Sequence, residues 1–214
     1  MNFHAIIFDL DGTLVETVDL YEEACMEAFA LVKIKMTKSE FSTLYKTGWS
    51  LPQWLTHYSI DNTEEEKLRA KRDEVYLRLL KTKAKWRQGA EPILSYAKNI
   101  APTAIVTGTW KKYVEALDEN MQFSRYTETI ITADDMQERM KPDPYGLTLA
   151  AKKLKVDPHR CLYVGDQEFD VAAANAAGMV SCLVQHTYTG KDAHKNAKLH
   201  TNNLEDLVKI LQSA

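Results

Sequence analysis

The chain has 214 residues, 45% of them hydrophobic, and its 27 Lys and Arg against 30 Asp and Glu leave a formal charge of -3. That length and apolar content allow one large globular domain or two small ones. Lys and Arg are dispersed rather than clustered, which gives no basic stripe for nucleic acid, and no uncharged apolar stretch approaches the roughly 18 residues needed to span a bilayer.

The first predicted element is a buried strand, Ala5-Ile6-Ile7-Phe8, which runs out into Asp9-Leu10-Asp11-Gly12-Thr13. Alternate side chains of a strand end point the same way, so Asp9 and Asp11 can converge, and like charges that close need a cation or a shared proton. Gly12 lets the backbone turn sharply; an ordinary Asx-type turn is the competing reading. Helical spacing follows from Leu20 to about Val32, then from Ser39 to Lys46 with Ser39 as cap, Leu51 to His57, and Thr63 to about Thr82 with acidic residues in its first turn. No strand pattern interrupts these, so roughly 65 residues read as an inserted helical domain.

From Gly89 onward short apolar strands alternate with helices, the pattern of a parallel sheet built of βαβ units. Predicted strands are Thr103–Val106, Thr129–Ile131, Cys161–Val164 and Met179–Val184; predicted helices are Ala90–Asn99, Lys111–Glu119, Pro144–Lys155, Val171–Ala177 and Leu204–Leu211. Ligands of such sheets bind at the carboxyl ends of the strands. Cys25, Cys161 and Cys182 have neither disulfide-framework nor C-x-x-C spacing and are expected as buried free thiols. The N-terminus shows no basic region followed by an apolar run and a small-residue cleavage site, so a cytoplasmic protein is expected.

Three further strand ends carry chemistry. Val106-Thr107-Gly108-Thr109 puts hydroxyls and N–H groups at a helix start, suited to phosphate oxygens, with a helix cap by Thr109 as the alternative. In Met140-Lys141-Pro142-Asp143-Pro144 the lysine precedes proline and sits in extended backbone. Leu162-Tyr163-Val164-Gly165-Asp166-Gln167-Glu168-Phe169-Asp170 ends its strand with two carboxylates and leads into a small-residue helix closed by Gly178.

Ile7-Phe8-Asp9-Leu10-Asp11-Gly12-Thr13-Leu14 resembles the first motif of the haloacid dehalogenase superfamily of phosphatases and phosphomutases, and the other three segments resemble its later motifs in order. The resemblance implies a doubly wound, Rossmann-like α/β core of residues 1–17 and 86–214, strand order 3-2-1-4-5, with a helical cap domain of residues 18–85. It implies Asp9 as nucleophile and Asp11 as general acid/base. Thr107 and the Gly108 N–H would bind the transferring phosphoryl group, and Lys141 would neutralise the nucleophile and the phosphoryl oxygens. Asp9, the Asp11 main-chain carbonyl and Asp166 would hold Mg²⁺, whose preference for hard oxygen ligands fits that set. Asp170 would orient Lys141 or outer-shell water.

Lys46 to Leu51 resembles the loop by which such caps touch substrate, which nominates Gly48, Trp49 and Ser50, although Trp49 as packing is an equal reading. Leu14–Thr17 and Lys83–Gln88 would be hinges. The implied activity is a Mg²⁺-dependent phosphatase of small phosphorylated metabolites, most like the phosphoglycolate phosphatase group and acting as a monomer or weak homodimer. A β-phosphoglucomutase-like mutase is the nearest rival, disfavoured because such enzymes tend to carry Glu where this chain has Gly165. A phosphonate hydrolase using Lys46 and a non-catalytic regulatory protein on the same scaffold are more distant readings. Asp11 argues against a dehalogenase.

Overall fold

A computed structural model of the protein describes residues 3–46, 50–190 and 193–212. In chain order the elements are β1 (Ala5–Phe8), β2 (Val15–Glu16), α1 (Val18–Ala30), α2 (Lys38–Lys46), α3 (Leu51–His57), α4 (Glu65–Lys83), β3 (Lys85–Trp86), α5 (Ala90–Ile100), β4 (Thr103–Val106), α6 (Lys111–Met121), β5 (Thr129–Ile131), α7 (Tyr145–Leu154), β6 (Cys161–Gly165), α8 (Glu168–Ala176), β7 (Val180–Val184), β8 (Leu199–Thr201) and α9 (Leu204–Gln212). The chain divides into two compact units, Met1–Glu16 with Lys85–Ala214, and Thr17–Ala84.

The first unit is built on a parallel sheet of order β5-β4-β1-β6-β7-β8, an α/β doubly wound arrangement. It extends the expected five-strand order by one edge strand, β8, whose three residues Leu-His-Thr are too short and polar to stand out as a strand. β1 lies in the middle between β4 and β6, and all four of its residues are fully buried. Continuous apolar runs of this kind are what a parallel sheet covered on both faces requires. Leu147, Ala150 and Ala151 of α7 and Ala173 and Ala174 of α8 share one buried cluster with Ile7, Val106, Ile131 and Tyr163. Small residues on these helices let backbone approach sheet closely: a Cβ at Gly146 of α7 would lie 3.0 Å from Val106 Cγ1 of β4.

The connectors expected as hinges are partly ordered as ladder, because Val15 pairs with Trp86 and Glu16 with Lys85 in an antiparallel ribbon. α8 begins three residues earlier than its apolar pattern suggested. The Gln167 N–H donates to Asp170 Oδ2 at 3.0 Å, so Asp170 closes the first turn as a cap rather than preceding the helix.

Among the described residues the regular elements of the second unit are all helical. α1 and α4 pack along each other, with Ala24, Phe29, Leu68, Leu79 and Leu80 buried and Trp54 in aromatic contact with both Phe29 and Phe41. Burial of the leucine and phenylalanine side chains among these is worth about 1.5–3 kcal/mol each. The exposed pairs Lys83–Glu23 and Arg78–Glu27 across the same helices add at most about 1 kcal/mol each. The cap of α2 is Thr37 rather than Ser39: the Thr37 N–H and hydroxyl donate to Glu40 Oε2 at 2.7 and 2.6 Å, and the Glu40 N–H returns a bond to the Thr37 hydroxyl. Cys25, Cys161 and Cys182 are free and buried. Among the described residues no helix is long and apolar enough to cross a membrane.

Candidate active site

Ladder register brings three of the four sequence segments together at the carboxyl edge of the sheet, and the loop before α7 carries Lys141 to Asp9 at the same edge. Phe8 lies opposite Ile105 of β4 and Val164 of β6, and the Asp9 N–H donates to the Val164 carbonyl at 2.8 Å. Asp9, Thr107 and Asp166, the residues that follow the ends of β1, β4 and β6, emerge at that edge, Thr107 and Asp166 one register position beyond Asp9.

Asp9 is 5% exposed, and its Oδ1 accepts from Lys141 Nζ at 2.6 Å. The same ammonium lies 2.5 Å from Asp170 Oδ1 and 3.0 Å from the Tyr163 hydroxyl, and Lys141 is joined to Pro142 by a cis peptide bond. Burial opposes the charged lysine, but Asp170 and Asp9 outweigh it and hold its pKa well above the ordinary lysine value. For Asp9 burial is the largest influence and raises the carboxyl well above its usual range. Lys141 works in the opposite direction, and Asp170, Asp166 and Asp11 add to the rise. One ammonium does not neutralise so many buried carboxylates.

Asp166 is 2% exposed. Its Oδ1 accepts from the Thr13 hydroxyl at 3.1 Å, and its Oδ2 accepts from the Gln167 side-chain amide and lies 4.0 Å from His186 Nδ1. Burial, with Asp170 next, pushes its carboxyl up to about 6. Gly12 passes so close that a Cβ there would sit 2.9 Å from Asp166 Oδ2, and its φ of +79° is left-handed, so only glycine suits the turn. The Arg87 guanidinium donates through Nη1 to the Gly12 carbonyl at 2.7 Å and through Nη2 to the Gln185 carbonyl, which ties this turn to the end of β7.

Asp11 lies in a different environment. It is half-buried, and its Oδ2 accepts from the hydroxyls of Thr107 at 3.0 Å and Thr109 at 2.7 Å. Thr109 is therefore no cap. Trp110 holds the cap position of α6, and the Lys111 N–H is taken by Asp134 Oδ2 at 2.7 Å instead. Gly108 is exposed beside Thr107, and a Cβ at Gly108 would touch Met140 Cε at 3.1 Å.

One carboxylate oxygen each of Asp9, Asp166 and Asp170 lies within 4.8 Å of the others, a grouping able to hold a cation. Asp170 has Oδ1 engaged by Lys141 and Tyr163 and Oδ2 by the Gln167 N–H, so its geometry is that of a support for Lys141. An all-oxygen set of buried carboxylates is the donor chemistry that a hard cation such as Mg²⁺ prefers.

Gly48 and Trp49 lie outside the described residues. Ser50 opens α3, with its N–H donating to Gln53 Oε1 at 2.7 Å. Tyr163, Thr13 and Arg87 have no role in the sequence reading, and Thr109 enters it only as a hydroxyl of the phosphate-suited loop or as a helix cap. A phenol inside the aliphatic run Cys161–Val164 was the one visible signal for Tyr163; the other three are ordinary loop residues until the fold brings them to the carboxylates. A cavity of about 730 Å³ lined by Glu16, Arg87, His186, Asn203 and Glu205 includes none of the four carboxylates.

The sequence model of the haloacid dehalogenase-like hydrolase family matches residues 6–184. An N-acetylmuramic acid 6-phosphate phosphatase of Pseudomonas putida is 26% identical over 220 residues, spanning 100% of this chain and 98% of that protein. Phosphoglycolate phosphatase 1 of Pseudomonas aeruginosa is 27% identical over 98% of this chain and 80% of its own length. The crystal structure of CbbY from Rhodobacter sphaeroides in complex with phosphate superposes with a TM-score of 0.82 at 24% identity, covering 96% of each chain.

Proposed function

We propose that this chain, which belongs to the haloacid dehalogenase-like hydrolase family and has named phosphatases among its relatives, hydrolyses a small phosphorylated metabolite with Mg²⁺ through an aspartyl phosphate on Asp9. The observation that supports this reading is the contrast in environment between two carboxylates two residues apart. Asp9 is buried against Lys141, whereas Asp11 is half-buried and held by threonine hydroxyls. Environments that differ this much separate a nucleophile from an acid/base.

Asp9, the Asp11 main-chain carbonyl and Asp166 would hold Mg²⁺, which when bound supplies positive charge that lets the carboxylates stay ionised and an anionic phosphate approach. An Asp9 carboxylate oxygen attacks phosphorus as the ester P–O bond breaks, and Asp11 gives its proton to the departing oxygen. Water then attacks the phosphoryl group, losing a proton to Asp11, and the bond to Asp9 breaks to release inorganic phosphate. Lys141 and the Thr107 hydroxyl stabilise charge on the phosphoryl oxygens. Gly165 supports hydrolysis over mutase chemistry, since a Cβ there would lie 2.5 Å from the Asp170 side chain and leaves no room for glutamate. Choice of leaving group is assigned to the helical unit.

The test is a panel of phosphorylated metabolites with Mg²⁺, followed by acid quench with radiolabelled substrate and mapping of the label. Label on Asp9, absent from Asp9→Asn, is expected; phosphate release without label on any aspartate would overturn the reading.

A further inference from the structure

Both threonines of the loop after β4 donate to one oxygen, Asp11 Oδ2. A hydroxyl has a single proton. Thr107 gives that proton to Asp11 and accepts the Thr109 N–H at 3.0 Å, so a phosphoryl oxygen that takes the Thr107 proton removes one of these two hydroxyls from Asp11 Oδ2. Of the two hydroxyls the one that stays is Thr109, at 2.7 Å the closer.

Thr109 is built to hold still. Its N–H ends on Thr107 Oγ1, its carbonyl accepts the Ala133 N–H at 3.1 Å, and the next turn is pinned by the Lys111 N–H on Asp134 Oδ2. Its β-branched side chain has restricted χ1 freedom, which keeps the hydroxyl aimed. Asp11 starts from the turn at Gly12, whose carbonyl is held by Arg87, so both ends of the contact sit on anchored backbone.

We propose, resting on the phosphatase reading above, that Thr109 is a positioning residue for Asp11: it keeps the carboxyl aligned with the ester oxygen, and later with the attacking water, while Thr107 serves the phosphoryl group. Thr109 touches no reacting atom and acts only through Asp11. Its contribution then scales with the need for proton transfer to the leaving group. That dependence separates alignment of the acid from a general loss of structure.

The experiment compares phenyl phosphate with p-nitrophenyl phosphate, two esters of nearly equal shape, in wild type, Thr109→Val and Thr109→Ser with Mg²⁺. kcat/KM reports the steps up to cleavage of the ester bond, where the acid acts. Thr109→Val should lower kcat/KM for phenyl phosphate by about 10²-fold, the lower end of what a positioned acid supplies, and for the activated p-nitrophenyl ester by only a few-fold. Thr109→Ser, which keeps the hydroxyl, should restore both to near wild type. Equal losses for the two esters, no loss for either, or failure of the serine variant to restore activity while folded by circular dichroism would each overturn the role of Thr109. Wild-type protein that cleaves neither ester would overturn the phosphatase reading on which it rests.

Discussion

Lys141 Nζ lies 2.6 Å from Asp9 Oδ1 across 132 residues of chain, and both side chains are almost completely buried. A buried pair seldom adds much stability over apolar packing, because desolvation cancels most of the attraction, but removing one partner strands the other. Lys141→Ala should therefore destabilise the metal-free protein by about 3–5 kcal/mol at neutral pH, leaving Asp9 and Asp170 buried without their cation. Denaturant unfolding measures this, and a loss below about 1 kcal/mol would contradict the electrostatic account.

Asp9→Asn should behave in the opposite way. It takes a carboxylate from a cluster where burial and like charges already oppose ionisation, so the metal-free variant should be at least as stable as wild type. Its turnover should fall by about 10⁴-fold or more, as when a covalent nucleophile is lost. Thermal unfolding and steady-state rates on the same preparation check both halves; a large drop in stability would show that the Asp9 carboxylate serves the fold.

Gly165→Ala tests the support beneath Lys141. The added Cβ would lie 2.5 Å from Asp170 Cβ and Cγ, so Asp170 must move, and with it the bonds to Lys141, Tyr163 and the Gln167 N–H. Overpacking of this kind costs about 1–3 kcal/mol. Turnover should fall along with stability, and a variant with wild-type kinetics would show that the placement of Asp170 is immaterial.

The pH dependence follows from Asp166, whose carboxyl is raised from an ordinary 3.8 to about 6 by burial first and Asp170 next. The folded state keeps a proton that the unfolded state releases. In the metal-free protein this group's contribution to stability is therefore present below about 4 and is lost as pH rises through about 6. Mg²⁺ needs the ionised carboxylate, so its stabilising effect should have the reverse trend, reaching about 2.7 kcal/mol at a hundredfold excess over Kd near neutral pH and shrinking in acid. Thermal shifts with and without Mg²⁺ at about pH 5 and about pH 7.5 measure this. A shift equal at both pH values, or retained in Asp166→Asn, would remove Asp166 from the metal set.

The sequence by itself determined the elements and the chemistry-bearing segments. Buried parallel strands must be continuous apolar runs, so Ala5–Phe8, Thr103–Val106 and Cys161–Val164 are legible one at a time, and carboxylates at their ends stand out because charge there opposes burial. Roles for Asp9, Asp11, Thr107, Lys141 and Asp166 came from resemblance to a family, not from periodicity. Only the tertiary structure decided which groups share a hydrogen bond. Thr109 looks like a helix cap in sequence because its local alternatives are all nearby, yet its hydroxyl goes to a carboxylate 98 residues away. Tyr163 reads as one more apolar strand residue, and its hydroxyl joins Lys141, Asp170 and the Val106 carbonyl. The register of β1 against β4 and β6 creates these contacts, and register is a property of paired strands that no single strand encodes.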